Sequence, residues 1–179
     1  MSRFNVIALP SETAAQVRSS GKAPRYGHPA HTELASGYGP CRHCLRTFRI
    51  GQENRTLFTY DPFAGIEAVP LPGPIFIHEQ ACARYSPDAG YPADLEPYAV
   101  VLNGYAAGQK LVERVLVSAA EDKSAAVRHL LERPDIDYIE VRDQTAGCFD
   151  FRIERVGGRV FYFILPPVSP KSRKIEITT

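Results

Sequence analysis

The chain has no tryptophan, a single methionine and no net charge to speak of: 21 basic residues face 20 acidic ones across 179 positions, a balance of +1. That balance produces no field to gather a nucleic acid or an anionic membrane, so neither is expected as a partner. No window approaches the ~20 consecutive apolar residues that cross a bilayer. Met1-Ser2-Arg3-Phe4-Asn5 opens without the apolar stretch of an export signal, which makes the cytoplasm the expected location. Also missing are a phosphate-binding glycine loop, a dinucleotide fingerprint, a serine elbow and an H-E-x-x-H helix. Their absence excludes the commonest nucleotide and hydrolase chemistries.

Cysteine is scarce too, at four residues, and its placement carries the information. Cys41 and Cys44 form a C-R-H-C run, and His78 and Cys82 form H-E-Q-A-C. His78 stands 34 positions after Cys44. In a reducing compartment such cysteines are better explained by metal than by disulfides. C-x2-C places two thiolates on one tight turn, where one cation can bridge them. H-x3-C sets an imidazole and a third thiolate one turn apart if the segment is helical. The expectation is a Cys3His zinc site that fastens two parts of one domain, with zinc as the cofactor. The bland reading, unrelated buried thiols and a hydrogen-bonded histidine, explains the paired spacing less well. His78-Glu79 superficially resembles the H-x-E of zinc deaminases, but Gln80 occupies the glutamate position and the C-x2-C precedes the histidine, which argues against a deaminase. Of the residues inside the knuckle, His43 is expected to point away from the metal and Arg42 to be exposed.

Periodicity supplies the rest of the framework. Phe4, Val6 and Ala8 read as one side of a short strand over 3–8. A helix begins after Pro10, with Ser11 as its N-cap and Glu12 favoured by the helix dipole, and it stops near Gly21. The glycines and prolines between 21 and 40 predict a long loop with no regular element. Strands follow over 56–60 and 75–77, the latter delivering His78, and 79–85 is read as a turn or two of helix carrying Cys82. A turn near 94–96, a hairpin of 98–105 with 110–117, a helix over 123–133 and a strand over 137–142 complete the middle. Phe149, Phe151 and Ile153 alternate with Asp150, Arg152 and Glu154, the pattern of a strand with one solvated face. Gly157-Gly158 then turns into a strand over 159–165. This order predicts an α+β fold, a mainly antiparallel sheet with two helices and a zinc-knuckle-like loop region over 37–86. The expected organisation is one domain over 1–165 and a tail over 166–179.

C-R-H-C-L (41–45), G-P-I-F-I-H (73–78) with Cys82, D-Y-I-E-V-R-D (137–143) and G-C-F-D-F-R-I-E-R (147–155) together resemble one bacterial family, catalogued only as a domain of unknown function. The resemblance runs from about Cys41 to Arg155. It brings no reaction or substrate. It implies that the metal ligands belong to one branch of the family and that the surface around Cys148 and Arg155 is common to both.

Two functional readings remain open at this stage. In the first, the chain is a binding or accessory module stabilised by zinc at Cys41, Cys44, His78 and Cys82, with a protein or a small anionic molecule as partner. In the second, it is a small-molecule enzyme using Cys148 or a metal-bound water, with Arg142, Arg152 and Arg155 orienting an anionic substrate. An adjacent guanidinium would favour the Cys148 thiolate; the competing reading is a small apolar side chain at a strand start.

Overall fold

A computed structural model of the chain describes residues 4–157, so the strand expected over 159–165 and the tail beyond it lie outside the described residues. Two antiparallel sheets and two helices make up the α+β architecture. The larger sheet contains β1 (Phe4–Ile7), β5 (Val100–Tyr105), β6 (Leu111–Val117), β7 (Tyr138–Asp143) and β8 (Phe149–Arg155), in the order β1-β8-β7-β5-β6. The smaller one runs β2-β3-β4, from β2 (His31–Leu34), β3 (Asn54–Tyr60) and β4 (Gly73–His78). A 3-10 turn lies at Ala93–Leu95.

Helix α2 (Lys123–Glu132) begins where Asp122 accepts a 2.8 Å hydrogen bond from the Ala125 amide. Val127, Leu130 and Leu131, at helical spacing, sink into a core shared with Leu102, Ile139, Val141, Phe151 and Ile153 of the larger sheet. Each such side chain contributes about 1.5–3 kcal/mol on burial. Gly104 allows Ile136 to lie flat on β5, since a Cβ there would sit 2.7 Å from the Ile136 Cδ1. Helix α1 (Ser11–Ser20) ends on Gly21, whose amide still bonds the Val17 carbonyl and whose φ of +62° then turns the chain out of the helix. It feeds Ala14 and Val17 into a second core with Cys41, Cys44, Phe48, Phe58, Ile75, Ile77 and Phe149. The cysteine knuckle is thus part of a hydrophobic core, between α1 and the smaller sheet.

Four local expectations are corrected. The 21–40 stretch holds strand β2, which pairs with β3 from His31↔Leu57 to Leu34↔Asn54; tertiary pairing overrides its glycine and proline content. Ser11 is the first helical residue and not the cap, which is Pro10. No helix forms over 79–85, because the amides of Glu79 and Tyr85 bond the carbonyls of Asn54 and His43 instead of their own chain four residues back. Finally, β8 does not alternate throughout. Val141 pairs with Phe151 and Arg142 with Phe149, so Asp150 is the extra residue of a β-bulge. The bulge sends Phe149 into the second core while Phe151 and Ile153 stay in the first. Asp150, expected in solvent, is fully buried.

Candidate metal centre

The knuckle is a tight turn: the Leu45 amide bonds the Cys41 carbonyl at 2.7 Å and the Cys41 amide bonds the Arg46 carbonyl at 2.9 Å. Leu45 takes a positive φ of 55° to close it. Three further backbone bonds pin this turn to the body of the protein: Arg42 N–H to Phe76 O, Leu9 N–H to Arg42 O, and Tyr85 N–H to His43 O. The first of these ties it to β4, whose last residue is His78. Segment 79–86 then passes back across the knuckle, bringing Cys82 with it.

The result is a cluster of Cys41, Cys44, His78 and Cys82 whose ligand atoms all lie within 4.8 Å of one another, a set that could hold a metal ion. The Cys41 and Cys82 sulfurs are 3.8 Å apart and the Cys44 sulfur is 3.5 Å from His78 Nδ1. All four cysteines are free thiols, and Cys41, Cys44 and His78 are buried. The four groups strongly perturb one another's protonation. Hydrogen bonding, from Cys41 above all, pulls Cys44 far below the usual thiol range, whereas Cys82 is pushed up, again first by Cys41 and then by Cys44. His78 rises to about 10 through its hydrogen bonding to Cys41 and then Cys44. A divalent cation bound among them would displace these protons and hold the sulfurs as thiolates.

A ring of outer partners surrounds these four. Glu53 Oε2 stands 3.5 Å from His78 Nε2, the ring nitrogen that faces away from the sulfurs. Arg18, from α1, donates from Nε to the His78 carbonyl at 3.1 Å and from Nη2 to the Cys82 sulfur at 3.6 Å. His43 does not point away: it is buried, with Nδ1 3.3 Å from the Cys82 sulfur and Nε2 3.0 Å from Ser11 Oγ. Desolvation and then Arg18 hold its pKa below the usual imidazole value. The Ser11, Arg18 and Glu53 roles were illegible in the sequence, because each depends on another element packing against the knuckle.

Arg42 is buried as well, contrary to expectation. Its Nε donates to Phe149 O at 2.8 Å, its Nη1 to Pro40 O at 2.6 Å, and its Nη2 lies 3.0 Å from Asp150 Oδ1. The knuckle is therefore bolted to the bulge of β8. Neither Asp150 oxygen has an aligned hydrogen bond, so charge alone holds this pair. Desolvation raises Asp150 to about 6, with Arg42 opposing.

Cys148 is half-exposed and lies apart from the cluster. It lines a cavity of ≈ 240 Å³ with Tyr38, Arg42, Phe76, Asp143 and Ala146. No histidine lines that cavity. The three arginines expected to serve a ligand divide into two places. Arg142 and Arg152 flank buried Glu140, at 2.9 and 3.8 Å, and Arg152 also donates to Pro62 O. Arg155 donates to the carbonyls of Arg133 and Ile136 beyond α2. A larger hollow of ≈ 530 Å³ is formed by the loop after β3 together with Arg25 and Tyr26; of its two carboxylates, Asp61 and Glu67, Asp61 already accepts from the Phe63 and Leu71 amides.

Residues 38–155 match the family described as Protein of unknown function (DUF1203). The chain belongs to that family. The matched stretch takes in the whole knuckle, β4, Cys82 and the strands up to the end of β8. No curated protein matches the chain, and no solved structure does. No described helix of this DUF1203 protein is long and apolar enough to cross a membrane.

Proposed function

We propose that this DUF1203 protein is a binding or accessory module built around a structural zinc ion, working in a reducing compartment such as the cytoplasm. The carrying observation is the geometry of the cluster. A tetrahedron with zinc–sulfur near 2.3 Å and zinc–nitrogen near 2.0 Å has edges of about 3.75 Å between sulfurs and about 3.5 Å from sulfur to nitrogen. Two of the six edges of the cluster, Cys41 Sγ to Cys82 Sγ and Cys44 Sγ to His78 Nδ1, are 3.8 and 3.5 Å, and all six lie within 4.8 Å. Three thiolates and an imidazole are the donor set that selects zinc over harder cations. Four protein ligands fill the coordination shell and leave no position for a water or a substrate, which supports a structural role. Zinc binding free energy, on the order of 10 kcal/mol, then becomes folding free energy for a loop-rich half of the chain.

Metal analysis of the purified protein together with X-ray absorption tests this reading. One zinc per chain with a shell of three sulfurs and one nitrogen is expected, and chelation is expected to abolish cooperative unfolding of the knuckle region. Protein that is metal-free yet equally stable would overturn the reading. A shell of three protein ligands and a water would replace it with metal-assisted catalysis.

One observation favours a second reading, a small-molecule enzyme acting through Cys148: the thiol opens onto a cavity with a buried guanidinium in its wall. Arg42 and Asp143 stand in its wall, with the Arg42 guanidinium held by Asp150 and the Pro40 and Phe149 carbonyls just as Arg142 and Arg152 are engaged by Glu140. Turnover lost in Cys148→Ser but kept in the zinc-loaded parent is the result this reading needs.

A further inference from the structure

The four ligands are not equally protected. Cys41, Cys44 and His78 are buried and sit on the knuckle or at the end of a strand, whereas Cys82 is half-exposed and rides on an irregular segment. It is also the ligand on which two outside donors converge. His43 Nδ1 lies 3.3 Å and Arg18 Nη2 3.6 Å from its sulfur, and the two come from different elements. We infer that Arg18 and His43 form a clamp that holds the half-exposed Cys82 on the metal, which makes helix α1 a gate over the zinc centre. The inference rests on the zinc reading above and assigns to it the residues that govern how fast the site exchanges.

The physical argument is one of charge and access. Three thiolates around a divalent ion leave one excess negative charge. Arg18 supplies a fixed positive charge beside the sulfur best placed to share that excess with solvent. A thiolate is an acceptor only, so the His43 proton sits on Nδ1; Nε2 then accepts from the Ser11 hydroxyl, which fixes the ring. Both donors stabilise electron density on sulfur and so lower its attack on electrophiles. Arg18 also holds the His78 carbonyl, so a single side chain of α1 spans both members of the H-x3-C pair. Ser11 and Arg18 both lie on α1, so the clamp closes only when the helix is docked. This helix lies outside the residues that match the family.

The test uses the full chain, zinc-loaded, in a Cys148→Ser background that removes the competing thiol. The variants are Arg18→Ala, the charge-keeping Arg18→Lys, and His43→Gln. Two rates are followed: zinc transfer to a competing chelator, and alkylation of each cysteine by iodoacetamide, mapped by mass spectrometry. Outer-shell partners typically govern metal affinity by about 10- to 100-fold. The expected result is zinc transfer about tenfold or more faster in Arg18→Ala, with alkylation accelerated at Cys82 ahead of Cys41 and Cys44, and partial rescue by lysine. His43→Gln is expected to show the same order of reactivity. Transfer rates within twofold of the parent for both Arg18→Ala and His43→Gln would overturn the clamp. So would equal acceleration at all three cysteines, which would mean general loosening of the fold. A parent that binds no zinc fails the underlying site, a result separate from either of these.

Discussion

Replacing Arg42 with methionine cuts the joint between the knuckle and the larger sheet, and its cost follows from the contacts. The guanidinium side chain is 3% exposed and faces Asp150, itself 1% exposed. Burial already lifts the Asp150 carboxyl to about 6 from 3.8, with Arg42 as the largest opposing attraction. For an acid raised in the folded state, stability is greatest where the group is protonated. It is lost as pH climbs from near 4 through about 6. At neutral pH the ionised carboxyl therefore costs about 3 kcal/mol even with its partner present. Removing one member of a buried pair costs about 3–5 kcal/mol, because the other is left as an uncompensated charge. The two carbonyl bonds lost with Arg42, roughly 1 kcal/mol each, fall inside that range. Arg42→Met is expected to lower unfolding free energy by about 4 kcal/mol at pH 8, and by less at pH 6, where Asp150 is already partly neutral. In a double-mutant cycle with Asp150→Asn, a coupling of about 2 kcal/mol is expected. Urea denaturation followed by circular dichroism reads all four species, with zinc content measured in each so that metal loss is not mistaken for pair loss. A coupling below ~0.5 kcal/mol, or a deficit equal at the two pH values, would refute the reasoning.

Other expectations follow from single contacts. Gly104→Ala should destabilise the protein by about 1–3 kcal/mol by pushing Ile136 off β5, and Ile136→Val should restore most of the loss by removing the 2.7 Å clash; thermal melts of both and of the pair decide this. Asp122→Ala removes the side-chain cap of α2 and should cost about 1 kcal/mol, with Asp122→Ser recovering much of it. In zinc-loaded protein Cys148 should be the first thiol to react with iodoacetamide, with no zinc released, since it is half-exposed and stands outside the cluster. Early zinc release on that modification would contradict the separation of the two sites.

The order of elements was readable because it rests on local chemistry. Val127, Leu130 and Leu131 fall at helical spacing and a proline follows at position 134, so α2 is legible without knowing what packs against it. Likewise, the hairpin of β5 and β6 follows from two apolar strands joined across a short glycine-containing stretch. The Cys3His cluster was readable for a similar reason: paired short spacings put its four side chains on two tight segments, whichever element carries Cys82. That the second segment is irregular rather than helical did not disturb the cluster.

Tertiary structure decided everything that needed a second element. A strand inside a glycine- and proline-rich stretch forms because β3 offers it a ladder, which no window of that stretch records. Asp150 alternates like a solvent residue in sequence, yet one bulge turns it inward to meet Arg42, far earlier in the chain. Ser11, Arg18 and Glu53 surround the cluster only because α1 and the loop before β3 pack on it. Spacing along the chain specifies which groups can share one ion; only packing specifies which charges surround them, because those come from residues with no short-range relation to the site.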